Sequence, residues 1–202
     1  MIPHFPELTP VDEFNGIFYK RDDLYAPYEN FITGGKIRQC RDLVEKNLDY
    51  IHDKCNSTIA TAASIHSPQS PIVSRIAQEF GLKSIIGFGN TTVEKALKQK
   101  MMQKCKEYGS ELVVLSESQG FNNVLYHNLH KLSETRPMFK ILFGYAAQTH
   151  RDSIVMRIAE QIENVDCDVL YVPVGSGVTL SGILEGARMF QKQFKIVGLQ
   201  PF

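Results

Sequence analysis

One lysine, Lys36, directly follows two glycines in the stretch FITGGKIRQCRDLV, residues 31–44. Glycine adopts backbone angles that other residues cannot reach, so a Gly-Gly pair indicates a tight turn or a close approach to the backbone. A lysine held at such a turn could act as a nucleophile. It could equally be a solvated side chain after a loop, and for an isolated GGK that alternative is the commoner one.

A glycine-rich loop lies near the end of the sequence, in VPVGSGVTLSGILEGA (172–187), between an apolar strand and a helix. Glycines bring the backbone close to a ligand, the helix N-terminus adds partial positive charge, and hydroxyl groups add hydrogen bonds, which together suit a phosphate group. The residues of this loop are Gly175, Ser176, Gly177, Val178 and Thr179. Their spacing matches neither the G-x-G-x-x-G dinucleotide pattern nor a P-loop, so a turn that binds nothing stays open as an alternative.

A third candidate is the loop SIHSPQSPIVSRIA (64–77), which precedes a predicted helix. Its polar side chains are His66, Ser67, Gln69 and Ser70. Pro71 is expected at the first helical position, where its missing N–H needs no partner, so Ser70 is predicted to be the N-cap residue. His66 could assist chemistry, although a single histidine in a loop is more often only solvated.

The overall composition excludes several classes of function. In 202 residues, 22 Lys plus Arg balance 22 Asp plus Glu, which provides no broad basic surface for nucleic acid. The cysteines are widely spaced, which fits reduced thiols better than a disulfide framework or a zinc site, and they are Cys40, Cys55, Cys105 and Cys167. His127 and His130 lack a third ligand, so no metal is predicted. Without a secretory signal or a membrane-spanning run, a cytoplasmic location is expected.

Apolar runs alternate with helical patterns along the whole chain. Strands are predicted at 16–20, 58–63, 84–88, 111–115, 138–143, 168–172 and 195–199. Helices are predicted from Ile37 onward and at 72–80, 92–108, 121–134, 153–163 and 179–191. This alternation predicts an α/β fold, with mainly parallel sheets covered by helices on both faces. In such folds, ligands bind at loops beyond the carboxyl ends of the strands.

Three stretches, in order, carry a resemblance to a known family. They are YKRDDLYAPYENFITGGKIRQ, PQSPIVSRIAQEFGLK and VPVGSGVTLSG. Together they resemble the pyridoxal-phosphate-dependent enzymes of the tryptophan-synthase-β-like group (fold type II), in particular the aminocyclopropane-carboxylate deaminase and D-cysteine desulfhydrase branch. That branch has a KRDDL-like strand end, then Gly-Gly-Asn-Lys, then Gln-Ser-Asn-His before a helix, and later a glycine-rich phosphate loop. The resemblance covers nearly the whole chain.

The resemblance implies pyridoxal 5′-phosphate as cofactor and assigns roles to individual residues. Lys36 would form the Schiff base with the cofactor aldehyde, and the loop 175–179 would hold its phosphate through backbone N–H groups and the Thr179 hydroxyl. Ser70 matches a serine that assists proton transfer, and Arg38 also matches the family pattern. The predicted substrate-binding residues are His66, Ser67, Gln69 and Ser70.

The resemblance also implies two lobes with the cofactor between them, a larger one of 1–40 plus 143–202 and a smaller one of 41–142. The chain departs from the family at Gly35 and Pro71, where the family has asparagine, and at Ile72, where it has histidine. Family members continue beyond the strand that matches KIVGL, whereas this chain ends at Phe202. A homodimer or a completing subunit is therefore expected.

The resemblance implies a lyase or deaminase that acts on an amino acid or on a small molecule bearing an amino-acid group. One alternative is a pyridoxal-phosphate enzyme that modifies an amino-acid-substituted nucleotide, as in viral DNA hypermodification. A second is a non-catalytic or partner-completed cofactor-binding subunit. A third is a nucleotide-binding α/β protein that uses only the loop 175–179.

Overall fold

The computed structural model describes residues 8–29, 31–142 and 151–200. Contacts along the chain divide it into two compact units. The first unit comprises Met1–Asp42 and Gln148–Phe202, and the second comprises Leu43–Ala147. The assignment of the cofactor to a larger lobe stays a prediction.

Strands and helices alternate through most of the described chain. The strands are β1 (Val11–Phe14), β2 (Ile17–Lys20), β3 (Thr58–Ala62), β4 (Lys83–Gly89), β5 (Glu111–Ser116), β6 (Phe139–Ile141), β7 (Val169–Pro173) and β8 (Lys195–Leu199). The helices are α1 (Gly35–Glu45), α2 (Leu48–Lys54), α3 (Gln69–Glu79), α4 (Val93–Ala96), α5 (Lys100–Glu107), α6 (Asn122–Thr135), α7 (Arg151–Ala159) and α8 (Val178–Met189). Short 3₁₀ turns cover Asp22–Leu24 and Glu160–Ile162.

The second unit is built on a four-stranded sheet in the order β5-β4-β3-β6, in which every neighbouring pair is parallel. All five residues of β3 are buried, as expected for a strand of small apolar residues inside a covered parallel sheet. Leu125 and Leu129 of α6 pack against Ala60, Ala62 and Ile85. Helix α3 packs against β3 and β4 of the same sheet. The predicted α/β fold is confirmed.

The first unit holds two small sheets. Strands β1 and β2 form an antiparallel hairpin, and β7 and β8 form a parallel pair connected through α8. Asn15 and Gly16 have φ of 53° and 76°, which is the backbone that a tight two-residue hairpin turn requires. Helices α7 and α8 pack against each other at Gly182. The two helices are so close there that a Cβ on Gly182 would overlap the side chain of Ile158.

Some elements differ from the prediction. The strand β1 was not predicted, because its sequence VDEF carries two acidic residues and lies on an exposed hairpin. The single helix predicted at 92–108 is divided into α4 and α5. Ala96 and Cys105 would lie on opposite faces of one continuous helix, and the break between the two helices lets both be buried.

Helix boundaries also shifted. Helix α1 begins at Gly35 rather than at Ile37, and α3 begins at Gln69 rather than at Ile72. The predicted helix 153–163 ends as an α-helix at Ala159, and a 3₁₀ turn follows it. The strand predicted at 138–143 covers 139–141, and its last residue lies outside the described residues. None of the helices in the described ranges is long and apolar enough to cross a membrane.

Candidate active site

Lys36 is the second residue of α1, and its side chain is exposed. The helix begins at Gly35, whose backbone N–H donates a hydrogen bond to Asp22 Oδ2 over 3.0 Å. The Asp22 carboxylate therefore satisfies an N–H group at the helix start that lacks a partner within the helix, and it places negative charge where the helix dipole favours it. A Cβ at Gly35 would overlap this carboxylate, so a larger residue at this position would require Asp22 to move.

Arg38 is nearly buried and contacts the same carboxylate. Its Nη1 donates to Asp22 Oδ1 over 3.1 Å, and its guanidinium carbon lies 4.2 Å from the centroid of the Tyr25 ring, a cation–π contact. Its Nε and Nη2 have no hydrogen-bond partner in the described part of the chain. The sequence alone does not identify the partner of Arg38. In the structure, Arg38 forms an ion pair with Asp22.

Lys20 opens the KRDDL motif and ties it to the rest of the first unit. Its Nζ donates hydrogen bonds to Thr9 O over 2.6 Å and to Asn164 Oδ1 over 2.8 Å. Burial lowers the pKa of Lys20 to about 8, and Arg38 acts in the same direction while Asp22 opposes it. Lys20 thus anchors the motif in the first unit, and Asp22 of the same motif bonds to the start of the lysine-bearing helix.

The glycine loop lies between β7, which ends at Pro173, and the twelve-residue helix α8. Gly177 takes the N-cap position with φ of +80°, a left-handed conformation that favours glycine. Within the described residues, no side chain caps this helix, so the N–H groups of its first turn remain for a ligand. Gly175 and Ser176 are exposed, and a Cβ at Gly175 would meet nothing within 4 Å. This open, donor-rich turn fits a phosphate group.

Ser70 is not the N-cap residue, contrary to the prediction. Helix α3 begins at Gln69, two residues before the position that a Ser70 cap implies, and its N-cap residue is Pro68, while Ser67 Oγ accepts a hydrogen bond from the Gln69 N–H over 3.3 Å. Pro71 still fits, because it lies within the first turn, where backbone N–H groups need no partner in the helix. Ser70 is fully buried, and its Oγ has no hydrogen-bond partner among the described residues.

Gln69 lies inside the second unit and is 1% exposed. Its Nε2 donates to Thr61 Oγ1 over 2.7 Å and to Leu142 O over 3.2 Å. Thr61 Oγ1 in turn donates to Ile141 O over 2.8 Å. Gln69 therefore connects the start of α3 to β3 and β6, and its contact with substrate stays a prediction.

His66 is exposed and lies at a cavity of about 540 Å³ in the second unit. The cavity is lined by Ser64, Ile65, His66, Gly89, Asn90, Ser118, Gln119, Gly120 and Phe121. These residues follow the carboxyl ends of β3, β4 and β5, where ligands bind in parallel α/β sheets. Sequence reasoning missed the residues at the ends of β4 and β5, although Gly89 and Asn90, directly after the predicted strand 84–88, and SESQGF, directly after the predicted strand 111–115, could have indicated them.

The predicted site residues divide between the two units. Lys36 and the loop 175–179 belong to the first unit, whereas His66, Ser67, Gln69 and Ser70 belong to the second. In the described ranges, no three His, Cys, Asp or Glu side chains are grouped to hold a metal ion.

Known proteins resemble this chain along most of its length. It is 27% identical over 214 residues to the O-seryl-dTMP PLP-dependent decarboxylase of Salmonella phage ViI, a match that covers 94% of this chain and 48% of that protein. An ACC deaminase homologue has a TM-score of 0.72 at 22% identity, with 96% of this chain and 61% of that chain covered. The hydrogen sulfide-producing enzyme of Fusobacterium nucleatum has a TM-score of 0.64 at 19% identity, with 92% and 54% covered.

The chain thus spans about half the length of the relatives that it matches. The structural matches share the fold, in agreement with the resemblance inferred from the sequence motifs. The family model described as pyridoxal-phosphate dependent enzyme matches residues 4–202, which is nearly the entire sequence. The exposed lysine near the start of α1 and the open, donor-rich turn before α8 fit that cofactor. Because the family model matches nearly the entire sequence, the chain belongs to the pyridoxal-phosphate dependent enzyme family, and its cofactor is pyridoxal 5′-phosphate.

Proposed function

We propose that the chain is a lyase or deaminase acting on an amino acid, or on a small molecule that bears an amino-acid group. The observation that carries this proposal is the exposed Lys36 amine on a helix whose first residue is fixed by Asp22. Lys36 Nζ would hold the cofactor covalently and would move a proton at the reacting substrate carbon. When bound, the cofactor supplies an electron sink that weakens the bonds to this carbon.

The turn 175–179 binds the cofactor phosphate through the uncapped N–H groups of α8 and the Thr179 hydroxyl. Helix α8 is long enough to present a partial positive charge to a phosphate, and Gly177 gives the backbone its left-handed turn. The exposure of Gly175 and Ser176 supports this role, because the phosphate needs open space over the turn.

Ser70 is the auxiliary acid–base group in this proposal. A buried hydroxyl without a partner is unusual in a folded protein, and such groups are often explained by a catalytic role. Its two neighbours toward the C-terminus, Pro71 and Ile72, have no polar side-chain atoms. Ser70 therefore supplies the hydroxyl proton at this point of α3, and the loss of the family's polar pair favours a substrate different from that of the aminocyclopropane-carboxylate deaminases.

The visible absorption spectrum of the purified protein with pyridoxal 5′-phosphate tests the role of Lys36. The wild type is expected to show the absorption band of the lysine-bound cofactor, and borohydride reduction followed by mass spectrometry should find the added mass on Lys36. Lys36→Ala should lose the band, whereas Lys54→Ala, which removes another exposed helical lysine, should keep it. Identical spectra for the wild type and Lys36→Ala would refute the assignment.

The phage relative favours a second candidate, decarboxylation of an amino acid carried by a nucleotide. That relative is named for its action on O-seryl-dTMP, and its similarity extends over 94% of this chain. In this reaction the bond from the α carbon to the carboxylate breaks, CO₂ leaves, and Lys36 Nζ or Ser70 Oγ delivers a proton to the α carbon.

Incubation with O-seryl-dTMP, with free serine as a parallel reaction, tests this candidate. Release of CO₂ from the nucleotide and not from serine would support it, and Lys36→Ala serves as the inactive control. Release of ammonia without CO₂ would favour the lyase or deaminase instead. A cofactor band without turnover of either compound would indicate a non-catalytic or partner-completed subunit.

A further inference from the structure

The cavity of about 540 Å³ in the second unit has the dimensions of a small-molecule site. Three loops form it, and they follow β3, β4 and β5 of the parallel sheet. The register between β4 and β5 shifts at Phe88 and Gly89, at the edge of this cavity. Such irregularities re-aim side chains and are common next to binding sites.

The side chains of the cavity suit a flat, neutral, polar ring. Phe121 is 72% exposed and offers an aromatic face on which a ring can stack. Asn90 and Gln119 carry amides, each with both donors and an acceptor, which match the alternating donors and acceptors on the edge of a nucleobase. Among the described residues that line the cavity, none is Lys or Arg, so a ring is favoured over a phosphate.

Hydrogen bonds from the backbone N–H groups of the two amide-bearing residues to Ser116 fix the two loops that carry them. Asn90 N–H donates to Ser116 O over 2.8 Å, and Gln119 N–H donates to Ser116 Oγ over 3.1 Å. A Cβ at Gly89 would overlap the carbonyl oxygen of Gln119, so only glycine allows the two loops to approach this closely. A site held in this way loses little entropy when a ligand binds.

The loop after β3 joins this cavity to the predicted substrate residues. Ser64, Ile65 and His66 line the cavity, and Ser67 to Ser70 follow directly in the chain. We infer that the cavity binds the pyrimidine ring of a nucleotide whose attached amino-acid group is the reacting part of the substrate. This inference rests on the proposed function, in particular on its nucleotide-linked candidate.

Titration of the cofactor-loaded protein with thymidine, followed by calorimetry or by NMR, tests the inference. Saturable binding is expected for the wild type. Phe121→Ala should weaken it about 5- to 100-fold, because stacking on an aromatic side chain accounts for much of the binding of a base. Phe14→Ala is the matched control, since Phe14 is 67% exposed and does not line the cavity, and it should bind thymidine as the wild type does.

Absence of thymidine binding, or equal binding by Phe121→Ala and Phe14→Ala, would overturn the inference. So would equal competition by deoxyribose 5-phosphate, because the cavity would then recognise sugar and phosphate rather than the ring. The cofactor band recorded on the same samples keeps the two proposals apart. If the band is present and thymidine does not bind, only the inference fails. Loss of the band from the wild type refutes the proposed function, and thymidine binding by the same sample then still decides whether the cavity binds the ring.

Discussion

The carboxylate of Asp22 accepts a hydrogen bond from the backbone N–H of Gly35, with 3.0 Å between oxygen and nitrogen. Its other oxygen accepts a hydrogen bond from Arg38, one turn into the same helix. The KRDDL and GGKIR motifs therefore form one structural unit. Asp22 of the first motif caps the helix that begins within the second. Lys36 follows the capped residue directly, so the orientation of the lysine depends on a side chain fourteen residues earlier in the sequence.

Gly35→Ala should displace the Asp22 carboxylate and lower the free energy of unfolding by about 1–3 kcal/mol, as overpacking typically does. The cofactor band should weaken as well, because the start of the lysine-bearing helix moves. Urea denaturation and the visible spectrum measure the two effects. In the Asp22→Ala background the added methyl group no longer meets the carboxylate, so the penalty should shrink there. An equal penalty in both backgrounds would contradict the close contact.

Ser70→Ala is expected to separate stability from activity. Its buried hydroxyl has no partner in the described part of the chain, so its removal should change the free energy of unfolding by less than about 1 kcal/mol. Turnover should fall by about 10²- to 10⁴-fold if the hydroxyl transfers a proton. Chemical denaturation and steady-state kinetics on the same samples measure both quantities.

Ser74→Ala is the control for this prediction. Ser74 Oγ donates to Ser70 O over 2.9 Å and accepts from Ser110 Oγ over 2.7 Å. Its loss should cost about 0.5–1.5 kcal/mol of stability for each of the two buried hydrogen bonds removed, although Ser110 Oγ keeps its contact with Ser84 Oγ. If Ser70→Ala lost as much stability and kept full turnover, Ser70 would be a structural residue only.

Short-range patterns made much of the fold predictable, whereas the roles of the site residues stay predictions. The small residues of β3 and the glycines before α8 act through local backbone preferences. So do Gly81 and Gly109, which directly follow the predicted helices 72–80 and 92–108 and have positive φ in the structure. Contacts between distant segments were not predictable in this way. The start of α1 is held by Asp22, thirteen residues before Gly35, and the cavity is formed by three loops that only the sheet brings together.

The stability of the protein should depend on pH through Lys20. The pKa of Lys20 in the folded protein is about 8, below its ordinary value of 10.5, because burial disfavours the charged amine. Between these two values the unfolded chain binds more protons than the folded chain, so this group makes the protein more stable as the pH rises. Below pH 8, the cost of burying the charge is fully present.

Urea denaturation of the wild type and of Lys20→Gln, below pH 8 and near about pH 10, measures this effect. The wild type should gain stability relative to the variant as the pH rises. Lys54→Gln, at an exposed lysine, should show no such relative change. A pH-independent difference between the wild type and Lys20→Gln would rule out the lowered pKa.

Gly177, the N-cap residue of α8, and Gly186, inside α8, should respond differently to replacement by alanine. A Cβ at Gly186 would lie 2.5 Å from the carbonyl oxygen of Ala159, the last residue of α7, so Gly186→Ala should force α7 and α8 apart and cost about 1–3 kcal/mol of stability. A Cβ at Gly177 meets nothing within 4 Å, so Gly177→Ala should cost only the about 1–2 kcal/mol of a left-handed alanine.

Cofactor affinity distinguishes the two variants more sharply than stability does. Gly177 sets the direction of the N–H groups to which we assign the phosphate, so Gly177→Ala should raise the concentration of pyridoxal 5′-phosphate that gives half of the maximal visible band. Gly186→Ala lies more than two turns further along α8 and should leave this concentration close to that of the wild type at temperatures where the variant is folded. If only Gly186→Ala weakened cofactor binding, the phosphate would not be held by the turn at Gly177.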